Sequence, residues 1–149
     1  MMKPVIENKK ARLEYDILES FESGMELHGY EVKSLRAGKA SLVGARVVIR
    51  AGEAYLVGAT IQPYQEKNTP SSYDPERSRR LMLHKKEIAD MASYEGQRGL
   101  TIVPIMVYNK DGRLKVQVAV ARYRKKHDKR EKLKERDTKR SIDRTLKGE

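Results

Sequence analysis

The stretch EVKSLRAGK spaces four polar side chains so that they could meet a nucleic acid. On a helix, Lys33 and Arg36 lie three residues apart and share a face, and Glu31 and Ser34 form a second such pair. Two cations on one face can neutralise neighbouring phosphates. A carboxylate beside them tolerates RNA only by accepting hydrogen bonds from a base edge, so Glu31 is expected to confer selectivity rather than affinity. A solvated amphipathic helix accounts for the same pattern, and residue types alone do not separate the two readings.

Signatures of catalysis are poor. The chain has no Gly-rich phosphate loop, no GKS/T and no GxSxG. His28, His84 and His127 are scattered, and none has a second histidine at ligand spacing. Without cysteine there is no thiol nucleophile, thiolate metal site or disulfide. Glu19 and Glu22 belong to an acidic stretch that reads as a solvated face. The expectation is a protein that is not an enzyme and takes neither metal nor cofactor.

Short strands joined by hairpins must position these groups. Residues 1–12 read as a polar, loosely held arm carrying Asn8, Lys9, Lys10 and Arg12. Leu13, Tyr15 and Ile17 alternate with Glu14 and Asp16, which is strand periodicity. LHGYEVKSLRAGKA reads as a short helix whose inward pair is Val32 and Leu35. ARVVIRAGEAYLVGATI is a hairpin around Ala51-Gly52-Glu53, and IQPYQEKNTPSSYDPERSRR, with three prolines, is a loop. LMLHKKEIADMAS is helical from about His84, with Leu83, Ile88 and Met91 as its apolar set. TIVPIMVY and LKVQVAVA flank Asn109-Lys110-Asp111-Gly112, whose Asp-Gly marks a tight hairpin. Pro104 places its strand at an edge or a bulge.

This pattern predicts a mainly β fold, a small antiparallel barrel with flanking helices. In its last strand Leu114, Val116, Val118 and Val120 face one way, and Lys115, Gln117 and Ala119 the other, toward either solvent or RNA. Tyr15, Tyr30, Tyr55, Tyr64 and Tyr108 are candidates for stacking on bases, at most one or two of them doing so.

The end of the chain differs. Lys and Arg total 32 against 21 Asp and Glu, a net charge of +11. Residues 122–149 hold 13 basic and 6 acidic side chains, so they carry +7 of it. Only four residues of that segment are apolar, too few for a core. Asp128/Lys132, Glu135/Lys139 and Asp143/Lys147 are i,i+4 pairs in the favourable order, each contributing about 0.3 kcal/mol. With Leu133, Ile142 and Leu146 as its sole apolar face, such a helix is marginal alone. A basic segment that orders on RNA fits this composition, and so does a solubilising extension. Such a charge favours polyanionic partners. No stretch approaches a membrane span and the N-terminus has no signal-like apolar region. A soluble, cytoplasmic, monomeric protein that does not engage membranes is expected.

Together NKKARLEYDILESFESGMELHGYEVKSLRAGKASL, GEAYL, SRRLMLHKKEI, KVQVAVA and KKHDKR resemble the SsrA-binding protein family, also called small protein B. The resemblance runs from Asn8 to about Arg136. It implies an oligonucleotide-binding-like antiparallel β-barrel with about three flanking helices over residues 1–122. Residues 123–149 would form a basic tail, disordered when free and helical on the ribosome. The implied role is binding the tRNA-like domain of tmRNA and delivering it, with elongation factor Tu, to ribosomes stalled in translation. The tail would sense the vacant mRNA channel against small-subunit rRNA. Family positions that contact tmRNA carry over to Asn8, with Arg12 of the same arm, and to Glu31, Lys33, Ser34, Arg36 and Lys115. The decoding centre and mRNA channel fall to Lys125, Lys126, His127, Asp128, Lys129 and Arg130. The chain departs from the family at Tyr123, where glycine is usual. A general RNA-binding or ribosome-associated protein without tmRNA specificity is the alternative that the charge pattern permits.

Overall fold

The computed structural model describes residues 3–124. The chain runs β1 (Lys3–Glu7), α1 (Lys9–Glu14), β2 (Tyr15–Met25), α2 (Gly29–Arg36), β3 (Ala40–Ser41), β4 (Arg46–Arg50) and β5 (Glu53–Val57). It continues through β6 (Thr60–Ile61), a 3-10 turn (Glu66–Asn68), β7 (Arg79–Met82), α3 (Lys85–Tyr94), β8 (Leu100–Lys110) and β9 (Arg113–Tyr123). Seven strands form one antiparallel sheet in the order β1-β8-β9-β2-β7-β5-β4, and β3 pairs with β6 apart from it. The expectation of a mainly β, antiparallel fold with three helices holds.

Closure into a barrel does not. β1 and β4 end the sheet and do not pair with each other. β1 occupies the edge of β8 along Met106–Asn109. On β4, the Ile49 N–H is met by the Glu95 carboxylate at 2.7 Å rather than by a strand. A side chain that satisfies an edge donor removes one reason for the edge to pair. The sheet still wraps a single core: Val47 of β4, Leu56 of β5, Leu81 of β7, Phe21 of β2, Val107 of β8 and Val118 of β9 share one apolar cluster. Ile88 and Met91 of α3 and Leu35 of α2 close it.

Both hairpins form as expected. Ala51 and Gly52 have φ of 49° and 77°, and Asp111 and Gly112 have 51° and 78°. Two consecutive left-handed residues are what a type I′ turn requires, because that turn matches the twist of the flanking strands. Pro104 sits at a bulge, where the β8–β9 register shifts between Pro104 and Met106.

The N-terminal arm is not loose. Its Val5 and Ile6 are half-buried in an edge strand, and Asn8 is the pivot into α1. Leu13, expected in a strand, lies in this helix, and the alternation of β2 breaks at a bulge between Ile17 and Glu19. On the outer face of the sheet Ala11 of α1 packs with Val103, Ile105, Ala119 and Ala121. The two alanines of β9 leave room for a helix there, so Ala119 faces neither solvent nor RNA.

The body extends slightly past residue 122. β9 continues through Tyr123, whose ring meets Tyr15 edge-on at 5.6 Å. The Arg124 N–H donates to the Glu14 carbonyl at 2.7 Å, and its Nε donates to Asp16 at 2.7 Å. The expectations for Lys125, Lys126, His127, Asp128, Lys129 and Arg130, and for the tail helix, lie outside the described residues.

Candidate nucleic-acid interface

α2 presents two faces of opposite chemistry. Lys33 and Arg36 are exposed, as the spacing predicts, and Arg36 Nη2 donates to the Gly112 carbonyl at 3.1 Å. That bond ties the helix to the tip of the β8–β9 hairpin, where Lys110 and Arg113 also stand. The other face is a surprise. Glu31, Ser34 and Leu35 point inward and are essentially inaccessible, whereas Val32 is only half-buried.

A buried carboxylate must be compensated, and the loop before β7 does this. Glu31 Oε2 accepts from Arg79 Nε at 2.9 Å, Arg77 Nε at 3.1 Å and the Tyr73 hydroxyl at 3.0 Å. Oε1 accepts from the His28 N–H at 2.9 Å and from Arg77 Nη2. Arg79 is itself fully buried. Besides Glu31 it donates through Nη1 to the Ala59 and Arg77 carbonyls, and through Nη2 to the Tyr73 oxygen and the Pro75 carbonyl. Burial alone would raise the Glu31 carboxyl, but the hydrogen bonds from Arg77, the His28 N–H and Arg79 outweigh it and hold the pKa near 2. Burial pushes the Tyr73 hydroxyl up to about 12, so it stays protonated and available as a donor.

Glu31 therefore offers no free oxygen to a base edge, and the reading role expected of it does not fit its geometry. What it does is fasten α2 to the segment Tyr73–Arg79. Ser34 is buried too, its hydroxyl without a hydrogen-bond partner among the described residues. Asn8 is likewise inward: its Nδ2 donates to the Leu42 and Pro104 carbonyls at 3.2 and 2.9 Å, and its Oδ1 caps α1 at Ala11. Glu31 and Asn8 bond the frame together, and Ser34 only packs within it. Arg12, exposed on α1, and Lys115, half-buried on β9, are the remaining expected contacts. Arg12 sits against Met106, which pairs with Gln117, and Lys115 lies two residues along the same outer face. Of the expected contacts, the outward cations are thus Lys33 on α2, Arg36 at the hairpin tip, and Lys115 and Arg12 along the outer side of the hairpin.

The residue types around Tyr73, Arg77 and Arg79 read as a loop and do not announce this hub. One signal was available: Arg79 and Leu81 are two apart in a strand and must share a face. Of the tyrosines considered for stacking, Tyr108 is buried with its hydroxyl on Glu22 at 2.6 Å, and burial pushes its pKa up. The bonds from Tyr108 and Lys110 in turn lower the Glu22 carboxyl. Tyr15 packs on Tyr123, Tyr55 is half-buried on the sheet, and Tyr64 lies under the Lys39 ammonium. Tyr30 remains, half-buried at the start of α2. Among the described residues no cluster of three or more His, Cys, Asp or Glu could hold a metal ion, and no helix is long and apolar enough to cross a membrane.

A family model described as "SmpB protein" matches residues 5–148. The chain belongs to the SmpB family. Relatives in this family include the SsrA-binding protein of Thermosynechococcus vestitus, 46% identical over 98% of this chain and 96% of the relative. That of Chlorobaculum tepidum is 48% identical over 92% of this chain and 87% of the relative. A solved structure described as "tmRNA-SmpB: a journey to the center of the bacterial ribosome" superposes with a TM-score of 0.68 at 42% identity. It covers 87% of this chain and 94% of the other. The matched span, residues 5–148, takes in all three helices and the positions of the buried hub.

Proposed function

We propose that this chain is the RNA-binding adaptor of trans-translation, binding the tRNA-like domain of tmRNA and bringing it to stalled ribosomes. The observation that carries this reading is the near-full-length likeness to SsrA-binding proteins, together with the match to a tmRNA-SmpB structure on the bacterial ribosome. The geometry supports a division of labour. Lys33, Arg36, Lys115 and Arg12 supply outward positive charge for phosphates. Glu31 and Asn8 act at one remove, fixing α2, α1 and β8 in place, with Ser34 buried beside them. In this reading the protein performs no chemistry on the RNA and acts in the cytoplasm, and elongation factor Tu joins through the tmRNA complex. The tail from residue 125 enters the vacant mRNA channel, where Lys125, Lys126, His127, Asp128, Lys129 and Arg130 lie along the decoding centre and small-subunit rRNA. A channel walled by phosphates neutralises the tail's charge and lets its i,i+4 pairs act.

Sequencing the RNA that copurifies with the protein tests the proposal. One dominant tRNA-like species is expected; broad recovery of rRNA and mRNA without it would point to a general RNA-binding protein.

A further inference from the structure

Three aromatic rings stand in series at the start of α2. The His28 imidazole lies nearly parallel to the Tyr30 ring, with centroids 5.2 Å apart and 22° between planes. Tyr30 meets Tyr73 edge-on, at 5.1 Å and 86°. Tyr73 and Tyr30 are half-buried and His28 is exposed. Packing accounts for Tyr73, whose hydroxyl belongs to the Glu31 hub. It does not account for an exposed imidazole laid flat on the next ring.

We infer that the His28–Tyr30 pair is a stacking platform for one unpaired nucleobase of the bound RNA, with Lys33 taking the adjoining phosphate. The inference rests on the adaptor reading above and adds to it a contact that reads a base face. An aromatic face accepts any base, so such a platform contributes affinity with little sequence preference. Here it is built rigidly. The His28 N–H is held by Glu31 Oε1 at 2.9 Å. The Tyr73 hydroxyl lies 3.0 Å from Glu31 Oε2 and 2.8 Å from the Ile61 carbonyl, and it accepts from Arg79 at 3.0 Å. The buried hub therefore fixes the Tyr73 end of the ladder and the backbone at its His28 end, and the stack on Tyr30 orients the imidazole that a base would meet. Tyr30 and Lys33 are three apart on α2, so they adjoin on its surface. Lys33 has no acidic partner among the described residues and is free to meet a phosphate.

The test uses the full chain titrated with the tRNA-like domain of tmRNA at several salt concentrations. Asparagine at position 28 removes the ring and keeps a residue suited to start a helix. His28→Asn is expected to weaken binding about tenfold at every salt concentration, with the slope of log K against log salt unchanged. His28→Phe, which keeps a flat ring and removes the ring nitrogens, is expected to restore wild-type affinity, which a hydrogen-bonding role for the imidazole would not do. Lys33→Met should instead reduce the slope by about one. Wild-type affinity in His28→Asn, or equal weakening in His28→Asn and His28→Phe, overturns the platform and leaves the adaptor reading standing. A wild-type protein that fails to bind this RNA overturns the adaptor reading and the platform with it.

Discussion

Arg79 and Arg80 are neighbours in one short strand, and both pair with glutamate, yet they do opposite things. Arg79 points inward beside Leu81, has no exposed side chain, and places all of its N–H groups on protein oxygens. Arg80 points outward and donates to Glu26 at 2.8 Å and Glu53 at 3.2 Å, with all three side chains substantially exposed. Strand alternation alone separates them. Water competes for both partners of Arg80, whereas the Glu31 carboxylate that Arg79 meets is shut off from it. In a chain this basic, the pair that holds α2 in place is the one the surface hides.

The contrast is broken most directly by cutting each arginine. Arg79→Met leaves the buried Glu31 carboxylate with Arg77 as its one cationic partner, and removing one partner of a buried pair costs about 3–5 kcal/mol. Urea unfolding should show a large fall in midpoint at constant m-value. A midpoint close to wild type would mean that the cluster rearranges without loss, and the distinction between the two arginines would collapse.

Acid sharpens the same point. The folded Glu31 pKa, near 2, lies below its ordinary value of 4.5. Its stabilisation is therefore complete above about pH 4.5 and is lost as pH falls toward 2. Allowing for the solvent that reaches Arg77, the loss should be about 2 kcal/mol. Thermal melts of wild type and Glu31→Gln across this range should converge as the pH drops. Parallel curves would show that other carboxylates govern the acid limb.

What the sequence made legible follows from where each signal resides. Ala51-Gly52 and Asp111-Gly112 announce hairpins because left-handed backbone is a local demand that few residue types meet. Ile88 and Met91 announce the buried side of α3 for the same local reason, since helical spacing is carried by the element itself. α2 was legible as a helix but not in its orientation. Its polar Glu31 and Ser34 face inward, and the compensation for Glu31 lies more than 40 residues away in a segment that reads as loop. Asn8 misleads likewise: a polar arm looks loose until the carbonyls of Leu42 and Pro104 are seen to be its partners. Closure of the sheet depends on what meets its edges, here a carboxylate on the Ile49 N–H, and edge chemistry leaves no periodicity to read.

A finer cut falls within the hub. Tyr73→Phe keeps the ring that supports Tyr30 but removes the hydroxyl, leaving Glu31 Oε2 and Arg79 Nη2 one partner short. The remaining bonds persist, so about 1 kcal/mol should be lost. An effect as large as that of Arg79→Met would mean that the hydroxyl organises the cluster rather than completing it.

The smallest effect belongs to Arg80→Ala. Its partners Glu26 and Glu53 are exposed and can turn to water, so the unfolding midpoint should not move measurably in physiological salt. Any change should emerge only at low ionic strength, where screening is weak. Should Arg80→Ala instead destabilise as strongly as Arg79→Met at every salt concentration, exposure would not be what separates the two neighbours. The outward ion pairs of β7 would then have to be counted as part of the frame that holds α2.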